Sequence, residues 1–137
     1  MATFFKFNQF IEDLGLGVHN LDTGALKIYL SDAAPSATLD AVKADLAEIT
    51  NQNGYTAPVD VSATYSETSG TGNLAGTDAV VTATGAVGPF RYAVLFNDTP
   101  SSPADPLIGA WDYGSEVTLA NGETFTVDFG ATIATFA

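Results

Sequence analysis

The chain reads as a mainly β protein: an antiparallel β-sandwich, jelly-roll or immunoglobulin-like, with an N-terminal amphipathic helix and room for a second short helix. Three observations predict this. Seven or eight short runs of alternating apolar and polar residues recur after residue 25, punctuated by Gly, Pro, Asn and Asp. Residues 4–18 instead carry their apolar side chains at helical spacing. The length, 137 residues with 46% hydrophobic and nine Phe, is enough for one core without disulfides or metal. One domain is expected, with residues 1–20 as a helical segment and 25–137 as the sandwich.

In the first segment Phe7, Phe10, Ile11, Leu14 and Val18 share one helical face, and Asn8, Gln9, Glu12 and Asp13 fall largely on the other. Thr3 is the expected N-cap, and Gly15 or Gly17 the left-handed terminator. So short a helix needs tertiary packing, so its Phe face covers its own sheet or docks on a neighbouring subunit. His19, the single histidine, has no Ser, Cys or second His nearby and reads as structural. Asp22-Thr23-Gly24 turns the chain into a strand at 25–30, where Leu26, Ile28 and Leu30 alternate with Lys27 and Tyr29. A loop at 31–36 follows. Leu39, Val42, Leu46 and Ile49 then keep helical spacing, with Ser36 or Thr38 as cap and an Asn53-Gly54 turn beyond.

Residues 59–67 alternate Val59, Val61, Ala63 and Tyr65 with Asp60, Ser62, Thr64 and Ser66, as in a strand with one wet face. The small polar stretch 68–73 reads as a flexible connection, and 77–84 as a Thr-rich strand. Pro89 suits the first position of the next strand. Residues 90–96 give the strongest strand signal: Phe90, Tyr92, Val94 and Phe96 on one face, Arg91, Ala93 and Leu95 on the other. With both faces largely apolar it belongs at the centre. Arg91 there needs a carboxylate partner, Asp112 or Glu116.

The loop 97–106 holds three prolines and two aspartates, a surface segment stiff enough to hold a shape. Residues 107–111 form a strand, and Asp112-Tyr113-Gly114 a corner. In the last hairpin a three-residue loop, Ala120-Asn121-Gly122, pairs Val117 with Phe125 and keeps both apolar rows on one face. That predicts Gly122 left-handed beside a bulge. Residues 132–136 supply a final edge strand.

Composition narrows function more than any motif does. Sixteen acidic against four basic residues give a net charge of −12, a field that repels phosphate backbones and anionic lipid. Nucleic-acid binding is therefore disfavoured; the charge serves solubility or docking onto a basic protein surface. No apolar run reaches the about 18 residues of a membrane span, and the N-terminus does not resemble a signal peptide. There is no Cys, hence neither disulfide nor thiolate metal site.

No P-loop, dinucleotide fingerprint, zinc-protease or EF-hand pattern occurs. Asp98, Asp105 and Asp112 are a conceivable calcium set, against which solvated acidic loops are the simpler account. His19 lacks a nucleophile motif, so no enzymatic activity and no cofactor are expected. Trp111 and the tyrosines 29, 55, 65, 92 and 113 suit a carbohydrate or protein contact if several line one surface. Core packing is the simpler account for most of them.

The run GPFRYAVLFNDTPSSPADPLIGAWDYGSEVTLANGETFTVDF, with FNQFIEDLGLGVHNL, LKIYLSDAAP, DLAEIT and NGYT before it, resembles a group of small tailed-bacteriophage structural proteins. The resemblance spans most of the chain and rests on packing and turn residues. It implies a virion component made in the host cytoplasm: most simply a capsid decoration or cement protein on the outer surface of the major capsid protein shell. Self-association, for instance as a trimer, is expected with it. The alternative is a tail- or fibre-associated module that binds a host glycan or receptor. The candidate interaction surface comprises Phe4, Phe5 and Phe7 of the N-terminal segment, Asn97, Asp98 and Asp105 of the stiff loop, and Trp111.

Overall fold

A computed structural model describes residues 3–137. Among them the chain forms ten strands, one α-helix and a short 3-10 turn, and the paired strands are antiparallel. The strands are β1 (Thr3–Lys6), β2 (Leu26–Ser31), β3 (Val59–Asp60), β4 (Thr64–Thr68), β5 (Thr71–Ala75), β6 (Ala79–Thr82), β7 (Val87–Asn97), β8 (Leu107–Leu119), β9 (Thr124–Val127) and β10 (Ala134–Phe136). A five-stranded sheet runs in the order β1-β8-β7-β2-β3; β10-β5-β4 and the pair β6-β9 make two smaller sheets.

The larger core lies between the main sheet and the smaller ones. Leu26, Ile28, Phe90, Leu95 and Ile108 from the first meet Leu74, Ala79 and Val81 from the second. That burial drives the layering. A smaller core on the opposite face gathers Phe7, Tyr29, Val94, Phe96 and Leu107 under Leu46. The main sheet is thus covered on both sides, which explains why β7 lacks a polar row, and β7 does lie centrally between β2 and β8.

The N-terminal helix is shorter than its periodicity predicts. α1 covers Asn8–Gly15, with Phe7 rather than Thr3 at the N-cap position. Residues 3–6 are a strand instead, paired with β8 from Thr3↔Asp112 to Lys6↔Gly109. Hydrogen bonding along β8 outweighs continued helix where two consecutive Phe favour extended backbone. Phe10 is buried as expected, but Ile11 remains 51% exposed.

The second helix is not formed. Only Lys43–Asp45 make a 3-10 turn, and Leu39 stands 81% exposed. Local side chains capture the backbone a helix would need. Asp40 accepts from the Ser36 N–H (2.7 Å), and Asp45 from the N–H groups of Ala41 (2.9 Å) and Val42 (3.1 Å). The segment is then tied to the start of β8 through Lys43 N–H to Asp105 O and Leu107 N–H to Ala41 O.

The predicted strand at 59–67 is two strands in different sheets. Val59 and Asp60 pair with β2, whereas Thr64–Thr68 pair with β5. The chain changes layer at Ser62, whose φ is +47°. Residues 68–73 are no loose connection: Ser69 and Gly70, both at positive φ, close a two-residue hairpin between Thr68 and Thr71.

Pro89 lies not at a strand start but within β7, at a register shift between Val87 and Phe90. A second shift follows, because Phe90↔Val117 and Tyr92↔Asp112 leave two steps on β7 opposite five on β8. That bulge is the expected corner, with Gly114 at φ +98°. It also moves Phe90 from the face of Val94 and Phe96 to the larger core with Ala93 and Leu95. Finally, β9 pairs with β6, not β8: Phe125 stands opposite Val81, and Val117 opposite Phe90. Gly122 is left-handed as predicted (φ +88°), but the turn carries the chain between sheets. β10 closes an edge beside β5, as expected.

Candidate functional site

The predicted interaction residues separate into three places. Phe4 and Trp111 come together directly opposite each other on β1 and β8, ring centroids 5.0 Å apart, and Trp111 meets Phe129 at 5.5 Å. Phe5 points to the opposite face of the sheet, beside the smaller core. Phe7 is fully buried there and offers no surface, because the chain turns inward between β1 and α1.

Asn97 is likewise internal, 1% exposed. Its Nδ2 lies 3.1 Å from His19 Nδ1, and its Oδ1 accepts from the Thr99 N–H at 3.0 Å. It therefore fastens the segment after α1 to the end of β7. Asp98 is exposed but engaged with Lys27 at 2.6 Å. That ammonium holds the Asp98 carboxyl below the usual carboxylate range, and Asp98 in turn raises the Lys27 pKa. The neighbouring Asp105 is pushed up, first by burial and then by Asp98. Asp112 stands apart from both, and among the described residues no three His, Asp or Glu gather as a metal site.

Around Trp111 the structure assembles a cleft that the sequence reading did not find. It has a volume of about 230 Å³ and lies between β8 and β9, with Trp111 and Tyr113 on one wall, Phe125 and Val127 on the other, and Ala93 in the floor. Arg91, Thr126 and Asp128 complete its lining. The strand period places 111 with 113, and 125 with 127, on matching faces. What brings the pairs together is β9 crossing to the other layer. Tyr113 is half exposed and meets Phe125 edge-on at 5.5 Å.

Arg91 is a fork closed on Asp112: Nε donates to Oδ1 at 2.8 Å and Nη2 to Oδ2 at 3.0 Å. Of the two expected partners it takes Asp112 rather than Glu116, because Tyr92↔Asp112 are register neighbours. Arg91, with the Gly114 N–H at 2.8 Å, holds the Asp112 carboxyl below its ordinary range, and Arg91 is raised in return.

A second surface adjoins the first through Phe4. β1 is an outer strand of the main sheet and β10 an outer strand of a smaller one. Between them runs a groove lined by Phe4, Phe5, Lys6, Ile11 and Phe136. Lys6 is the one cation without a salt bridge among the described residues, the other three pairing with Asp98, Glu48 and Asp112. Ile11, expected on the apolar face of the helix, and Phe136, expected in an edge strand, were not among the candidate interaction residues, as nothing local marks either as the border of a groove beside β1. Comparison with protein-family models, with curated proteins and with solved structures gives no match.

Proposed function

We propose that this protein is a non-enzymatic structural component of a tailed-bacteriophage particle: a decoration protein that binds the outside of the major capsid protein shell and stabilises it. The resemblance of most of the chain to small phage structural proteins motivates this reading. The observation that carries it is the open seam between β1 and β10. Two strand edges of different sheets border one groove in which Phe4, Phe5, Ile11 and Phe136 alternate with the polar Lys6 and Thr135, and Ile11 is half exposed. An unpaired edge offers main-chain donors and acceptors to an extended segment of a partner, and flanking apolar side chains give that pairing its register.

Repeated modest contacts of this kind across a shell add up by multivalency. Self-association as a trimer at local three-fold axes belongs to the same proposal. So does a jelly-roll or immunoglobulin-like class for the stacked antiparallel strands.

The test uses purified shells stripped of the protein. Added wild-type protein should co-sediment with them and raise their disruption temperature. Ile11→Glu, at a half-exposed position where the lost apolar burial should cost about 1 kcal/mol of stability, should abolish both effects. Shells equally heat-stable with and without bound protein would refute the cement role.

A further inference from the structure

The geometry points to the Trp111 cleft as a receptor for a single basic side chain, a Lys or Arg of a partner protein. Three features choose the occupant. The first is size: about 230 Å³ lies below the roughly 300–1,000 Å³ of sites that take whole small molecules. That volume suits one long side chain.

The second is the wall chemistry. Trp111, Tyr113 and Phe125 present three aromatic rings around the opening, and ring faces attract ammonium and guanidinium groups.

The third is charge. Arg91 contributes no free cation to the cleft, because its fork is closed on both oxygens of Asp112. Asp128 has no such partner. Its Oδ1 accepts from the Gly130 N–H at 2.9 Å, and no cation among the described residues forms a salt bridge with it. One carboxylate without a salt bridge among the described residues therefore borders an aromatic cleft in a protein of net charge −12. An incoming cation gains from both, and the long-range field steers it there. Phe4 links this cleft to the β1 seam, so one partner can engage both surfaces. That the partner is a shell protein rests on the function proposed above; the preference for a cation does not.

Trp111 is the only tryptophan, so its fluorescence and indole N–H resonance report on the cleft directly. The intact protein is titrated with Nα-acetyl-lysine methylamide, the arginine equivalent, the neutral norleucine equivalent and N-acetylglucosamine. The two cations should shift the Trp111 signals saturably, while norleucine and the sugar should not. Asp128→Asn keeps the acceptor for Gly130 and should leave the thermal unfolding midpoint unchanged while weakening cation binding about fivefold. Equal binding of norleucine, saturable binding of the sugar, no saturable response to either cation, or an unchanged affinity in Asp128→Asn would each overturn the assignment. Shell co-sedimentation is scored separately: cation binding without shell binding overturns the proposed function alone, and shell binding without cation binding overturns the cleft alone.

Discussion

Acidification should destabilise this protein through its single histidine, His19. The imidazole is buried, and burial lowers its pKa; Asp13 on α1 opposes the shift without reversing it. Hydrogen bonding works in the same direction as burial. Asn97 Oδ1 already accepts from the Thr99 N–H, so Asn97 presents its NH₂ group to His19 Nδ1, which must be the acceptor. A proton on Nδ1 would set donor against donor. Nε2, which carries the ring proton when Nδ1 accepts, is buried without a hydrogen-bond partner, as is Asp13 Oδ2.

In the unfolded chain His19 takes up its proton near pH 6.5. The folded protein does so only at lower pH, so stability is full above about pH 6.5 and falls as the pH drops from there toward the folded pKa. One proton limits the slope to about 1.4 kcal/mol per pH unit, and RT ln 11 caps the loss at pH 5.5 at about 1.4 kcal/mol. For a chain of this size that is a fall of about 5 °C in Tm. Urea unfolding at about pH 7.5, 6.5 and 5.5, on wild type and His19→Gln, measures it. With a single histidine in the chain, the variant should lose this pH dependence. An equal slope in His19→Gln, or a wild type that gains stability on acidification across that window, would refute the reasoning.

Two further substitutions probe the scaffold that presents the site. A Cβ at position 109 would lie 2.5 Å from the Phe4 ring and 2.8 Å from the Phe5 carbonyl oxygen, so Gly109→Ala should cost about 1–3 kcal/mol. It should also speed amide exchange in residues 4–6, read by urea midpoints and hydrogen exchange; unchanged exchange there would show that β1 does not depend on the close approach. Tyr55→Phe removes a buried hydroxyl that accepts from the Leu30 N–H at 2.9 Å. The orphaned amide should lower stability by about 1–3 kcal/mol in urea melts, and a cost under about 0.5 kcal/mol would mean that another group replaces the hydroxyl.

Several features were legible residue by residue. Gly122 at positive φ and the corner at Gly114 follow from neighbours a few positions away, and the central place of β7 from its own two apolar faces; that Arg91 needs a carboxylate was legible too, but the strand register chose Asp112 over Glu116. Misreadings share one cause. Residues 38–50 have helical apolar spacing, but Asp40 and Asp45 close local turns and β8 takes the rest. Residues 59–67 alternate without a break, yet Ser62 sends the two halves to different layers. In the candidate site, Trp111 and Phe4 were picked out by residue type, whereas Phe125, Val127 and Asp128 join them only because β9 abandons β8 for β6. Asn97 looked like surface and proved internal, and Phe7, expected either to cover its own sheet or to dock on a neighbour, does the first, since burial depends on what lies above a residue and not on its loop or helix setting.

By itself the sequence determined the strand-rich character, turns such as those at Gly114 and Gly122, and the acidic charge, because alternation, φ preference and ionisation belong to a residue and its immediate neighbours. Only the tertiary structure decided which strands pair, where β1 leaves an open edge, and that three aromatic rings and one carboxylate without a salt bridge meet at a cleft. Those outcomes depend on contacts between segments far apart in the chain, where many pairings satisfy the same local pattern and the choice falls to the one that buries both faces of the main sheet.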